Sequence, residues 1–399
     1  MVGRRDDVRA WRFPAPEPSR LAGDPGSVPW LSLPLAEQQE RALLEFGVAL
    51  ADPGEGPCDK GYILLREDAA VGPVAVQDLL AVAGEEDFAW KTGGRCGALA
   101  EEIALGDAGP LLVYLAPGGA ITPERIAAAP AREFDPQERM LELPLSRAQF
   151  GIDLLELPLT ERLVLPTGHW NQLLWANLLG MPSFLWRGLA GRNFVEIGWR
   201  AAWAAVRAMS ISPMRIGAQL GRKGKGCRIH PSAVVEGCWL GDGVEIGANA
   251  VVRGSVLADG AAVEDLAMVE FSVLAPAARV QRQAMLKFSV LRQRAAHAGI
   301  MQLGVLDRGA AVKSGAWLMD MAFGQHVKLK VGDRLVPAPL GMAGVCVGED
   351  ALVGVGVKVA GGRFLTPGLQ ITADADILVR IPEGLTGRVV VRRGTLEAL

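Results

Sequence analysis

Four histidines, His169, His230, His297 and His326, are the only side chains of this 399-residue chain whose ordinary titration falls near neutrality. A general base must accept a proton near neutral pH from about 3 Å away, so acid–base chemistry is sought here first. His297 stands where a regular pattern calls for an aliphatic residue, at the point where that pattern gives way to an irregular stretch. His326 closes the run Asp320-Met-Ala-Phe-Gly-Gln-His326-Val-Lys328, with Asp320 a candidate orienting carboxylate and Lys328 and Lys330 candidate phosphate contacts. His230 precedes Pro231 and reads as a turn residue, and His169 reads as packing at a helix entry. A lone histidine at a corner also has a purely structural reading, which stays open for His297 and His326.

A second set of candidates is cationic. Lys358 and Arg363 lie among Gly354, Gly356, Gly361 and Gly362. Glycine lets a ligand approach the backbone closely, so this stretch, with Gly361 and Gly362 beside the two cations, is a candidate for holding a cofactor phosphate. The alternative is that the glycines turn corners and the cations are solvated.

These residues must be positioned by a repeat. Aliphatic residues fall at Ile229, Val235, Leu240, Ile246, Val252, Leu257, Val263, Val269, Leu274 and Val280, which sets a period of seventeen. In-phase columns follow: Ile229/Ile246/Val263/Val280, Val235/Val252/Val269/Leu286, Leu240/Leu257/Leu274/Leu291 and a small-residue column Cys238/Ser255/Ser272/Ser289. A sandwich requires neither the constant step nor the small column. Three short strands per coil, stacked about 4.8 Å apart, account for both, so the pattern predicts a parallel β-helix. After Leu291 the register falters. His297 takes the aliphatic slot, and 298–344 reads as an irregular insertion with fragments at Leu303 and Val312. Clean hexads return at Val347, Val353, Val359, Leu365 and Ile371, and alternation near the C-terminus suggests a capping strand or hairpin.

Upstream, the first 35 residues, with four prolines in the first 25, read as a flexible leader. Residues 36–160 alternate strand, turn and helix: a strand at Tyr62–Arg66, a helix near Val76–Val82, a strand at Leu111–Leu115, then a Thr122-Pro123 helix start. Residues 161–222 read as a helical linker, with a helix after Pro166 and another at Asn193–Met209 whose apolar stripe includes Trp199 and Trp203. Residues 223–399 form the β-helix with its insertion and cap. The Trp-rich 170–209 region is a candidate protein contact.

Half of the chain is hydrophobic and its net charge is −3, which carries no nucleic-acid footprint. Five scattered cysteines without CxxC spacing indicate neither a disulfide framework nor a zinc site. The charged, Pro-rich start is not a signal peptide and no run spans a membrane, so a cytoplasmic location is expected.

The stretch IHPSAVVEGCWLGDGVEIGANAVVRGSVLADGAAV resembles the bacterial transferase hexapeptide-repeat family. The resemblance covers roughly 229–291 and 345–372. It implies a left-handed parallel β-helix, acyl-CoA or a nucleotide sugar as substrate with no tightly bound cofactor, and a homotrimer through the β-helix. It also implies a role in sugar-nucleotide or cell-envelope metabolism, with a prism histidine as general base: His297 first, His326 second. The γ-carbonic anhydrases of the family need three imidazoles on one zinc, a set that His297 and His326 do not complete.

Upstream, His169-Trp-Asn-Gln-Leu-Leu-Trp-Ala-Asn177 is similar to the linker helix of sugar-nucleotide pyrophosphorylases, and Asp68 is placed like their metal-binding aspartate. Their Gly-rich phosphate loop is absent, since Pro53-Gly54-Glu55-Gly56 carries no arginine. The resemblance therefore implies a degenerate nucleotidyltransferase-like domain. The alternative to an enzyme is a non-catalytic scaffold or regulatory subunit built on the β-helix.

Overall fold

The computed structural model describes residues 8–15, 29–51, 60–106, 109–144, 154–190, 221–321, 326–373, 389–392 and 395–398. Its C-terminal half is a parallel β-solenoid with three faces. The first face stacks eight strands from Arg222–Lys223 to Phe364–Leu365, the second eight from Arg228–Ile229 to Gln370–Ile371, and the third seven from Val234–Glu236 to Lys358–Val359. Residues one period apart pair directly: Ile229 with Ile246, Ile246 with Val263, Val263 with Val280. The predicted aliphatic columns line one continuous interior, in which Leu257, Val269, Leu274, Val280, Leu286 and Leu291 are completely buried. Each such side chain contributes roughly 1.5–3 kcal/mol through burial.

The small-residue column has a reason that the period alone does not supply. Ser272 Oγ donates to the Glu270 carbonyl at 2.8 Å and accepts from the Ser289 N–H at 3.1 Å. Ser255 and Ser289 repeat the motif, and the Cys238 thiol donates to the Glu236 carbonyl in the same way. The hydroxyls form a ladder up one buried corner, satisfying donors that no water reaches.

The coils do not stop at 297. His297 pairs with Val312, Met301 with Leu318 and Leu306 with Val347, so 300–318 is regular solenoid and the interruption is confined to residues between Leu318 and Cys346. The insertion starts later than the expected 298 because the period changes: Leu286 pairs with Met301 and Leu291 with Leu306, a fifteen-residue coil inside a seventeen-residue repeat. Leu303 is a corner residue at φ +51°, not an interior one. The insertion carries an antiparallel hairpin, Lys328–Val331 with Arg334–Pro337. A C-terminal hairpin forms from Val389–Arg392 and Thr395–Ala398.

The N-terminal region is a mixed α/β domain. Strands β1 (Val8–Phe13), β2 (Gly61–Arg66), β3 (Phe88–Thr92), β4 (Leu112–Leu115) and β5 (Ala131–Phe134) form one sheet in the order β1-β2-β4-β3-β5. Helices α1 (Leu35–Leu44) and α2 (Pro73–Val82) contribute to the core on one face, and the short α3 (Pro123–Ala128) to the core on the other. The predicted α3 start holds: Thr122 caps it, accepting from the Arg125 N–H, with Pro123 in the first turn.

The expected free leader is corrected where it is described. Val8–Phe13 pairs in parallel with β2, and the Trp30 indole donates to the Ala176 carbonyl at 3.2 Å. The linker's described part is a strand, Val164–Pro166, followed by the 21-residue helix Trp170–Ala190. The proposed helix at 193–209 lies outside the described residues.

That long helix joins the two halves. Trp170, Leu173, Trp175 and Leu179 share a buried cluster with Val256, Val273, Val290 and Val305, the outward residues of the first solenoid face. Within that stretch Trp170 and Trp175 are thus spent inside the molecule. Trp170 is 1 % and Trp175 is 2 % exposed, so neither can serve as a contact for another protein.

Candidate functional site

The insertion hairpin supplies the wall on which the candidate residues gather. In Val327-Lys-Leu-Lys330 the extended backbone alternates sides. Val327 and Leu329 are buried in the cluster shared with the N-terminal domain, while Lys328 and Lys330 face outward. His326, exposed, precedes this strand, and its ring lies against Gly341, whose N–H bonds the Ala338 carbonyl at 2.9 Å on the returning chain. The opposite wall comes from the last coils, with Arg363, Phe364 and Thr366. Between them runs a groove of about 1120 Å³ that His326, Lys328, Lys330 and Arg363 all line. Three cations and one imidazole, with Asp333 the one acidic side chain among its lining residues, suit a phosphate- or carboxylate-bearing ligand.

Gly361 and Gly362 also line this groove, but for a different reason from the one expected. A β-carbon on Gly362 would strike the Lys328 carbonyl and the Val327 side chain, and one on Gly361 would meet the Ala343 carbonyl at 2.5 Å. The Gly362 N–H is already committed to the Ala343 and Gly344 carbonyls, at 3.1 and 2.6 Å. These glycines let the hairpin lie on the coil, and the Gly362 N–H is not left over for a phosphate.

Asp320 is partly buried one residue from the lining residue Met321, and burial raises its carboxyl above the usual range despite an opposing backbone hydrogen bond. Its carbonyl accepts from the Ala343 N–H at 3.2 Å. Lys358 is exposed beside Trp317 on the third face and does not line the groove.

His297 is corrected as a candidate base. It has no exposed surface, it occupies the interior column between Val280 and Val312, and Nε2 donates to the Met285 carbonyl at 3.0 Å. Burial lowers its pKa to about 4 against the opposing backbone hydrogen bonds. A base sealed inside the prism cannot reach an acceptor. The sequence signal was real, an aliphatic slot filled by histidine, but it marked the short coil. His230 is the expected turn residue: its Nδ1 is engaged by the hydroxyl and N–H of Ser232 at 2.8 and 3.2 Å.

Asp68 stands where the N-terminal resemblance put a metal ligand, yet it is 3 % exposed and gripped by Arg66, with Nε–Oδ1 2.5 Å and Nη2–Oδ2 3.1 Å. Among the described residues no group of three or more His, Cys, Asp or Glu side chains is placed to hold a metal ion. No described helix is long and apolar enough to cross a membrane.

A second concavity, on the second face near Arg228, Glu245, Glu264 and Arg279, has these charges paired with one another: Arg228 with Glu245, and Arg279 with Glu264 at 3.2 Å. That leaves the hairpin groove as the better anion site.

No protein-family model and no curated protein matches the chain. Solved structures that resemble it include an X-ray crystal structure of a Bacillus cereus protein provisionally described as an acetyltransferase. The identity is 17 %, covering 36 % of this chain and 78 % of that one, with a TM-score of 0.17. A likeness at that level assigns neither reaction nor substrate.

Proposed function

We propose that the chain is a hexapeptide-repeat transferase, its solenoid the left-handed prism of that family, and that the hairpin groove is where it works. The observation that carries this reading is the convergence of His326, Lys328, Lys330 and Arg363 on one groove from two separate segments. The cations would hold the phosphates of an acyl-CoA donor or of a nucleotide-sugar substrate, each charge-assisted contact being roughly twice as strong as a neutral one. His326 would take the proton from the acceptor hydroxyl or amine as the acceptor's lone pair attacks the thioester carbonyl carbon of the acyl-CoA. The proton would then pass to the departing thiolate as the carbon–sulfur bond breaks. Asp320 would set the local field from beside the groove.

In this reading the N-terminal domain is a degenerate nucleotidyltransferase-like fold kept for its shape, which the neutralisation of Asp68 by Arg66 favours. Sugar-nucleotide or cell-envelope metabolism is the setting that suits the donor. Titration calorimetry with acetyl-CoA, CoA and nucleotide sugars tests the proposal. Binding to the intact chain that weakens about tenfold or more in Lys330→Ala and Arg363→Ala is expected. Turnover should fall by about two orders of magnitude in His326→Gln while binding is kept. No binding by any of these donors would remove it.

The alternative, a non-catalytic scaffold, draws on the same Arg66–Asp68 lock. It predicts no turnover with any donor and unchanged behaviour of the His326 variant.

A further inference from the structure

In the α/β domain the helix Gly94–Ala104 closes on a local conflict. Its last four residues are Glu101-Glu102-Ile-Ala104 and none is basic, although the carbonyl end of a helix is negative and disfavours carboxylates. Lys91 lies 3.7 Å from Glu101 and offsets it. Glu102 has no cation partner among the described residues. Its exposed carboxylate accepts instead from the Leu340 N–H at 3.2 Å, across 238 residues of chain. A residue that breaks the rule of its own element points to a demand from elsewhere in the fold.

Leu340 belongs to the turn Pro339–Gly341, which follows the insertion hairpin. Leu340 and Gly341 both stand in the left-handed region, at φ +55° and +71°. For leucine that conformation is unfavourable and persists only where its surroundings hold it. What the turn supports is the histidine. Gly341 lies so close to the His326 ring that a β-carbon there would collide with Nδ1. The next residue is bracketed by the same turn: the Val327 N–H donates to the Gly341 carbonyl at 3.0 Å, and the Val327 carbonyl accepts from the Ala338 N–H at 2.8 Å. Beneath these contacts Leu99 and Ile103 of the helix, with Leu105 at its end, share one buried cluster with Val327, Leu329 and Ala338. The hairpin completes the helix in exchange, for Arg334 Nη2 stands 3.6 Å from the place a β-carbon on Gly106 would take. It is the cation that the last helical turn lacks.

We propose that the α/β domain is the rear support of the groove and that Glu102 is a positioning residue for His326. The carboxylate holds Leu340 left-handed, Leu340 keeps Gly341 against the imidazole, and the imidazole keeps one place in the groove wall. Lys328 and Lys330 do not depend on this link, because their strand pairs along its length with Arg334–Pro337. The support gives the α/β domain a task that needs no phosphate loop. The chemistry assigned to His326 rests on the transferase reading, whereas the support itself does not.

The test compares Glu102→Ala, Glu102→Gln and Arg334→Ala in the full chain. Glutamine keeps an acceptor oxygen for the Leu340 N–H and alanine does not. Without any donor, hydrogen–deuterium exchange across residues 338–341 should quicken about fivefold in Glu102→Ala and in Arg334→Ala. Modification of His326 by diethyl pyrocarbonate, followed by mass spectrometry, should quicken with it. Glu102→Gln should restore both rates. In acetyl-CoA turnover, read as released thiol, kcat should fall about fivefold in Glu102→Ala and recover in Glu102→Gln, while KM moves less because the lysines stay in place. Exchange and His326 reactivity that are indifferent to Glu102→Ala would overturn the proposal. So would a loss of melting temperature shared equally by Glu102→Ala and Glu102→Gln, which marks a residue needed only for folding. If no variant and no parent turns over acetyl-CoA while exchange and reactivity respond as stated, the support stands and the transferase reading falls.

Discussion

A β-carbon on Gly362 would collide with the carbonyl oxygen of Lys328, so the insertion hairpin and the coil leading to Arg363 meet backbone to backbone. One wall of the groove is thereby clamped to the other. The Gly362 φ of +74° adds a second demand that side chains meet poorly. Gly362→Ala is expected to cost about 2 kcal/mol or more and to open the hairpin. Denaturant unfolding and limited proteolysis between Lys328 and Arg334 would register both; unchanged stability would mean that the hairpin is not held there.

His297 should make the fold sensitive to mild acid. Its folded pKa of about 4 lies below the ordinary value of 6.5, so between those values the unfolded chain binds the extra proton. Its contribution is fully present above about pH 6.5, is lost as pH falls toward about 4, and totals on the order of 3 kcal/mol. In His297→Val, which matches Val280 and Val312 in the column, that slope should vanish from urea midpoints measured at pH 4.5 and 7. Parallel pH profiles for both proteins would show that His297 is not the sensor.

Ser272 accepts from one coil and donates to its own, so Ser272→Ala removes two buried hydrogen bonds and leaves the Ser289 N–H without its acceptor. A loss of about 1–3 kcal/mol is expected, checked by chemical denaturation. Ser272→Cys should recover part of it, since Cys238 holds the same position one coil below Ser255.

Asp68→Asn leaves the Arg66 guanidinium buried without its carboxylate and should cost about 3–5 kcal/mol. The double change Arg66→Met, Asp68→Leu should cost less than the single one. A metal role for Asp68 predicts instead that Asp68→Asn leaves stability intact and abolishes divalent-ion binding, read by calorimetry.

Much of the solenoid was legible because a coil repeats its chemistry: Ile229, Ile246 and Val263 must match if they stack. The same logic misled at His297. One fifteen-residue coil shifts every later residue out of the expected phase, so Met301 and Leu306, which stack on Leu286 and Leu291, fall outside the period of seventeen. The groove was legible in part. His326, Lys328, Lys330 and Arg363 stand out by residue type, but nothing local states that residues 326 and 363 line one groove from opposite sides.

Sequence alone determined the three-sided stack, because a period of seventeen with in-phase aliphatics and hydroxyls has few other physical uses. It also determined that a glycine pair at 361–362 and a histidine at 297 were special positions. Only the tertiary structure decided what made them special. Close approach of the hairpin backbone explains the glycines, and burial inside a shortened coil explains the histidine. Contacts between distant segments depend on which surfaces the folded chain leaves to be covered, and that is not written in the spacing of neighbours.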